Sequence, residues 1–137
     1  MEARQAGRTI KKILIIDDEE SMRFLLSYAL EAAGFKVTTA ENGAQAWKLF
    51  IKETYDLVIT DFQMPGIDGL RLAENIKRRC SAVPVILISG SDLDQIRGCY
   101  AARNIDRLVA KPFRISDMRD IVLQMLFTVQ KKKKPRC

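Results

Sequence analysis

Four short stretches carry groups that can do chemistry. They are "IIDDEE" (15–20), "DLVITDFQMPGIDG" (56–69), "VPVILISGS" (83–91) and "VAKPF" (109–113). In each, an apolar run breaks off into a polar side chain: Asp17 and Asp18, then Asp61, then Ser89, then Lys111. An ionised carboxylate at the edge of a core is costly unless something positive answers it. Three carboxylates brought together repel, and at least one pKa rises unless a cation intervenes. Oxygen ligands with no histidine or cysteine beside them suit Mg²⁺, which keeps several waters and binds through one or two carboxylates. A carboxylate can also act as a nucleophile and form an acyl phosphate. Phosphoryl transfer depends mainly on positioning and charge neutralisation, which a metal ion and a lysine such as Lys111 can supply. A hydroxyl such as that of Ser89 can donate a hydrogen bond to a phosphoryl oxygen.

These groups act together only if the fold gathers them. "KILII" (12–16) predicts a strand buried on both faces. Met22, Leu25, Leu26, Ala29, Leu30 and Ala33 recur at helical spacing until Gly34 stops them. "KVTTA" (36–40) predicts a second strand, 41–53 an amphipathic helix entered through a turn, and 56–60 a third strand. Asp68 can cap a helix running to about Arg79. A fourth strand spans 83–89, with Pro84 at its start, where a missing N–H is tolerated. Ser91 begins a helix with Asp92 and Asp94 in its first turn. A short fifth strand covers 107–110, and Ile115, Met118, Ile121, Val122, Met125, Leu126 and Val129 form one stripe of a final helix. Five strands alternating with five helices imply an α/β fold, a parallel sheet with helices on both faces. Right-handed crossovers make it doubly wound. Ligands bind such sheets beyond the carboxyl ends of the strands, where all the groups named above fall.

Bulk properties narrow the classes. A chain of 137 residues is one domain, large enough for a real core. Its content, 47% hydrophobic and 29% charged, is that of a globular protein rather than a disordered one. No apolar run is long enough to span a bilayer, and "MEARQAGRTI" lacks a signal's apolar region, so a cytoplasmic chain with no membrane partner is the expectation. Histidine is absent, which excludes histidine acid–base catalysis, histidine metal ligation and a phosphohistidine of its own. Cys80, Cys99 and Cys137 are odd in number and form no CxxC, so they read as free thiols. The net charge of +6 resides mostly in the tail "KKKKPRC", so no direct nucleic-acid binding is expected. The expected organisation is a loose arm over 1–9, the folded domain over 10–130, and a basic tail or linker over 131–137.

Taken in order, the four stretches resemble the receiver domain of two-component response regulators. Each alone is weak. All four, at the ends of strands 1, 3, 4 and 5, are specific, and the likeness covers roughly Lys11 to Val129. The resemblance implies the flavodoxin-like, CheY-like fold, a five-stranded parallel sheet ordered 2-1-3-4-5 with five helices. It implies that Asp61 is the phosphoacceptor, Asp18 binds Mg²⁺ (or Mn²⁺) directly, Asp17 holds a metal-bound water, and the Gln63 backbone carbonyl completes the protein's metal ligands. Ser89 then matches the switch hydroxyl and Lys111 the lysine that contacts the phosphoryl group, with a cis Lys111–Pro112 peptide. The implied partners are a histidine kinase or histidine-containing phosphotransfer protein and a downstream effector or output domain. The implied role is a phosphorylation-activated signalling switch that catalyses its own phosphotransfer and dephosphorylation without being a conventional enzyme.

Three features depart from this pattern or stand beside it. Leu108 occupies a position where the family often carries an aromatic that swings inward. Gly90, Ser91 and Gln63 leave room near the acceptor for an attacking water, so a very long-lived acyl phosphate is not expected. Phe24 and Tyr28 on the first helix, and Leu123 and Phe127 on the last, point away from the main stripes. With Met22 and Leu108 they are the candidate partner surface, the first helix for the phosphodonor and the last for output or a homodimer. Singly exposed apolar residues need no such explanation.

Two other readings compete. A haloacid-dehalogenase-type phosphatase also uses an aspartate and Mg²⁺, but its nucleophile follows strand one in a DxDx[TV] setting that "DDEES" does not provide. The alternative is a receiver-like protein-binding module that is never phosphorylated, which a missing acid or lysine would favour, and none is missing.

Overall fold

In the computed structural model, residues 10–90 and 93–127 are described. The N-terminal arm, the basic tail, Val129, Ser91 and Asp92 lie outside them. Five strands, β1 (Lys12–Ile16), β2 (Lys36–Ala40), β3 (Leu57–Asp61), β4 (Val85–Ser89) and β5 (Arg107–Ala110), alternate with five helices. The helices are α1 (Glu20–Ala32), α2 (Gly43–Lys52), α3 (Gly69–Arg79), α4 (Leu93–Arg97) and α5 (Ile115–Phe127). The sheet is wholly parallel and ordered β2-β1-β3-β4-β5, as the resemblance implies.

Alternation along the central strands sorts their side chains between two layers. Ile13, Ile15, Leu57, Ile59, Ile86 and Ile88 pack with Leu26 and Leu30 of α1 and Met118 and Val122 of α5. Leu14, Ile16, Val58 and Val85 pack with Ala46 and Phe50 of α2 and Leu72 and Ile76 of α3. A smaller cluster of Leu70, Leu87 and Ile96 holds α4. Strands covered on both faces read as unbroken apolar runs, which is why "KILII" and "VILIS" were legible.

Local chemistry sets the element ends. Asn42 accepts from the Gln45 N–H at 2.8 Å and starts α2 at Gly43, two residues later than the amphipathic pattern suggests. Asp68 accepts from the Arg71 N–H at 2.9 Å and caps α3 as expected. Gly34, at φ 101°, takes the left-handed conformation that turns the chain from α1 into β2. β4 begins at Val85 rather than 83, since Pro84 has no N–H for a ladder. α4 is short and gives way to a 3₁₀ helix over Tyr100–Asn104. Two carboxylates anchor strand starts: Asp56 accepts from the Lys12 N–H at 2.8 Å, and Asp106 from the Val85 N–H at 2.8 Å and from Lys77 Nζ at 2.7 Å.

Three expectations are corrected. Leu25 is 47% exposed instead of in the core, because it lies about a quarter-turn off the Leu26–Leu30 line. Leu123 packs partly against the layer formed with α1 and α5 instead of pointing away, since α1 lies against α5 and widens its covered face. Cys99 is a free exposed thiol, but Cys80 is disulfide-bonded, contrary to the reading of three free thiols. Spacing along a chain does not report which sulfurs meet in space.

Candidate functional site

Four strands deliver their last residues, or the next one, to one edge of the sheet. Asp17 follows β1, Asp61 ends β3, Ser89 ends β4 and Lys111 follows β5. Asp17, Asp61 and Ser89 are buried, Lys111 is half-buried and Asp18 is exposed. Asp17, Asp18 and Asp61 each bring a carboxylate oxygen within 4.8 Å of the other two. Lys111 Nζ stands 3.3 Å from Asp61 Oδ1. The Lys111 N–H donates to the Ser89 carbonyl at 2.9 Å, and the Lys111–Pro112 peptide is cis.

Burial pushes the Asp17 carboxyl above the usual range; the Glu19 N–H, donating to Oδ1 at 2.9 Å, opposes this, and the charge of Asp61 adds to it. Burial also raises Asp61, against the pull of Lys111. The ionised form of both carboxylates is thus disfavoured by burial, in a place where positive charge is welcome. Asp17 Oδ2 is buried without a hydrogen-bond partner among the described residues. A buried carboxylate with one orphaned oxygen, clustered with two more carboxylates and with no nitrogen or sulfur donor among them, fits a hard divalent cation. Asp17, Asp18 and Asp61 are the residues that could hold it. Gln63, two residues beyond Asp61, is exposed.

Two residues of the site escaped sequence reasoning. Arg23 donates from Nη1 to the Asp17 carbonyl at 2.8 Å, and its Nη2 lies 4.0 Å from Glu41 Oε2, so it ties the β1–α1 turn to the start of α2. Its signal was an arginine one turn into the helix that follows the acids, among apolar neighbours. Gly69 donates its N–H to the Phe62 carbonyl at 2.9 Å, and a Cβ there would stand 2.5 Å from the Asp61 carbonyl oxygen. The turn after Asp61 closes this tightly only around glycine. Gly66, at φ 83°, takes the left-handed conformation in the turn after Asp61.

The candidate partner residues fall into two groups. Phe24 and Tyr28 are exposed on α1, with ring centroids 6.3 Å apart, and Phe127 is exposed at the end of α5. Met22, Leu108 and Leu123 are half-buried against the core clusters.

A family model for the response regulator receiver domain matches residues 13–123. The chain is 37% identical over 125 residues to the DNA-binding transcriptional regulator NtrC of Escherichia coli (strain K12), covering 90% of this chain and 26% of that protein. It is 34% identical over 117 residues to sporulation initiation phosphotransferase F of Bacillus subtilis (strain 168), covering 85% of this chain and 94% of that one. It thus spans about a quarter of the length of the NtrC relatives it matches. Among solved structures, response regulator protein TrrA of Thermotoga maritima, in complex with Mg²⁺-BeF, is 36% identical with a TM-score of 0.78, covering 85% of this chain and 100% of that one. A response regulator receiver domain protein from Clostridium thermocellum has the same score at 28% identity, covering 85% and 94%. The sheet order, the acid cluster at its edge and these matches agree: the chain belongs to the response regulator receiver domain family, the phosphorylation-activated switches of two-component signalling.

Proposed function

We propose that Asp61 accepts a phosphoryl group from a phosphohistidine on a separate histidine kinase or phosphotransfer protein. The observation that carries this is the convergence of Asp17, Asp18 and Lys111 on Asp61. An Asp61 carboxylate oxygen forms a bond to phosphorus as the phosphorus–nitrogen bond of the donor breaks, its electron pair leaving on the imidazole. Water later attacks the same phosphorus and releases inorganic phosphate, returning Asp61. Mg²⁺, held by Asp17, Asp18, Asp61 and the Gln63 carbonyl, would neutralise phosphoryl charge in both steps. Lys111 balances the remaining charge, and Ser89 donates to a phosphoryl oxygen. Movement of Ser89 and Lys111 toward the phosphoryl group then biases the α4–β5 region between two arrangements.

The domain over 10–130 works in the cytoplasm, and its state is read by an effector or an output domain. The exposed Phe24–Tyr28 face meets the phosphodonor, and the exposed face of α5 serves output or self-association. Incubation with acetyl phosphate and Mg²⁺, followed by intact mass, tests the core of this reading. A gain of one phosphoryl group, lost in Asp61→Asn, is expected. No gain on a folded, metal-binding protein would instead favour the unphosphorylated binding module.

A further inference from the structure

Charge is spread unevenly along the strand direction, although Glu31, Glu53, Asp56 and Asp106 share the edge where the strands begin. Where the strands end sit Asp17, Asp18, Glu19, Glu20, Glu41 and Asp61. Where the strands begin and the helices end sit Lys12, Lys36 and Arg107, first in β1, β2 and β5, with Lys52 and Arg79 last in α2 and α3. Contacts confirm that these ends meet. Lys12 Nζ pairs with Glu53, just past α2, at 2.9 Å, and Lys77 near the end of α3 pairs with Asp106, just before β5, at 2.7 Å. Glu53 alone feels Lys12, then Lys36 and Lys52, which hold its carboxyl below the usual range. Basic residues at helix ends are favoured by the dipole. That accounts for Lys52 and Arg79, but not for the lysines and arginine that open strands.

Three large apolar side chains stand exposed on the same edge. Ile10, before β1, is 63% exposed, Ile51 in the last turn of α2 is 43% exposed, and Phe127 at the end of α5 is 54% exposed. Phe127 stacks on Phe35, just before β2, with centroids 6.1 Å apart. Four residues beyond Phe127 the sequence reads "KKKKPRC".

We propose that this edge docks on the surface of a membrane rich in anionic phospholipid. Each lysine or arginine near such a surface gains from its negative potential. Exposed isoleucine and phenylalanine enter the boundary between headgroups and acyl chains, as in other proteins that lie on a membrane. Those apolar residues favour lipid over nucleic acid, whose phosphates answer only the cations. The expectation of no membrane partner rested on the lack of a spanning segment, which a peripheral contact does not need. The carboxylate rim lies at the opposite edge, so a docked chain keeps Asp61 open to a partner. This inference does not depend on phosphorylation of Asp61.

Co-sedimentation of the full chain with vesicles of phosphatidylcholine containing roughly one-third phosphatidylserine is the test. The chain pellets with these and not with pure phosphatidylcholine, and less so as salt rises. Lys36→Gln, Lys52→Gln and Arg79→Gln, all at exposed positions, each lower the partition coefficient about fivefold, and Ile51→Ser lowers what remains at high salt. Thermal melts establish that the variants are folded. Equal partition onto both vesicles, no partition at all, or full binding by the folded glutamine variants overturns the proposal. So does a nucleic acid duplex that strips the chain from the vesicles and loses affinity with the same variants.

Discussion

Lys111 Nζ reaches to 3.3 Å from Asp61 Oδ1 although β4 separates their strands. The side chain crosses the end of β4, where the residue is the small Ser89. The pair sets a half-buried ammonium against an acid whose carboxyl burial pushes up. If Lys111 neutralises the transferring phosphoryl group, Lys111→Ala should slow acetyl phosphate labelling on the order of 10²-fold, the cost of removing one preorganised charge-stabilising donor. A mass time course reads the rate. An unchanged rate would reduce Lys111 to a structural counter-ion.

Burial raises both Asp17 and Asp61, so the folded chain binds their protons more tightly than the unfolded chain. Their contribution to stability is therefore most favourable when they are protonated. It falls as pH rises from the ordinary carboxylate range through the raised values, and the full penalty applies above them. We expect Asp17→Asn to melt above the native protein at neutral pH without divalent cations, with the advantage shrinking toward acid. Mg²⁺ should stabilise the native protein, by about 2.7 kcal/mol at a hundredfold excess over Kd, and the variant much less. Paired melts with and without Mg²⁺ across pH check both signs. A variant less stable at every pH would show that Asp17 is held by contacts rather than strained by its charge.

Gly69 cannot accept a methyl group without displacing the backbone of Asp61 or the side chain of Leu87, each 2.5 Å from the added atom. Gly69→Ala should cost about 1–3 kcal/mol in denaturant unfolding, the usual range for overpacking. It should also slow phosphorylation, since the acceptor's own carbonyl must shift. Loss of stability with an unaltered labelling rate would place the strain in Leu87.

Space near the acceptor sets the acyl phosphate lifetime. A Cβ at Gly90, directly after Ser89, would meet nothing within 4 Å, so nothing crowds the chain at this position. Phospho-Asp61 should hydrolyse over minutes rather than many hours. Its decay can be followed by intact mass after rapid removal of acetyl phosphate. A species that survives for many hours would mean that water is excluded by something other than the residue at Gly90.

The apolar runs of strands 1, 3, 4 and 5, the order of all five strands relative to the helices, and the polar residue at or just after the end of those four were legible in the sequence. Burial on both faces writes an unbroken apolar string, and a charge cannot hide inside one. Less was legible where a residue's fate depends on what covers it. Leu25 and Leu123 both sit at helical spacing from core residues, yet one faces solvent and the other meets a neighbouring helix. Nothing in the helical pattern around Arg23 says that its guanidinium holds the Asp17 carbonyl.

The sequence by itself determined which groups stand at the strand ends: three acids, a hydroxyl and a lysine, each placed by an apolar run that stops at a definite residue. Only the tertiary structure decided that strand five lies close enough for Lys111 to answer Asp61, and that one oxygen of Asp17 is buried without a partner. It alone also set the lysines that open strands beside those that close helices, on the edge opposite the acids. Periodicity acts within one element and is written in neighbouring residues. Which elements lie side by side is settled by packing across the sheet, among residues far apart in the chain.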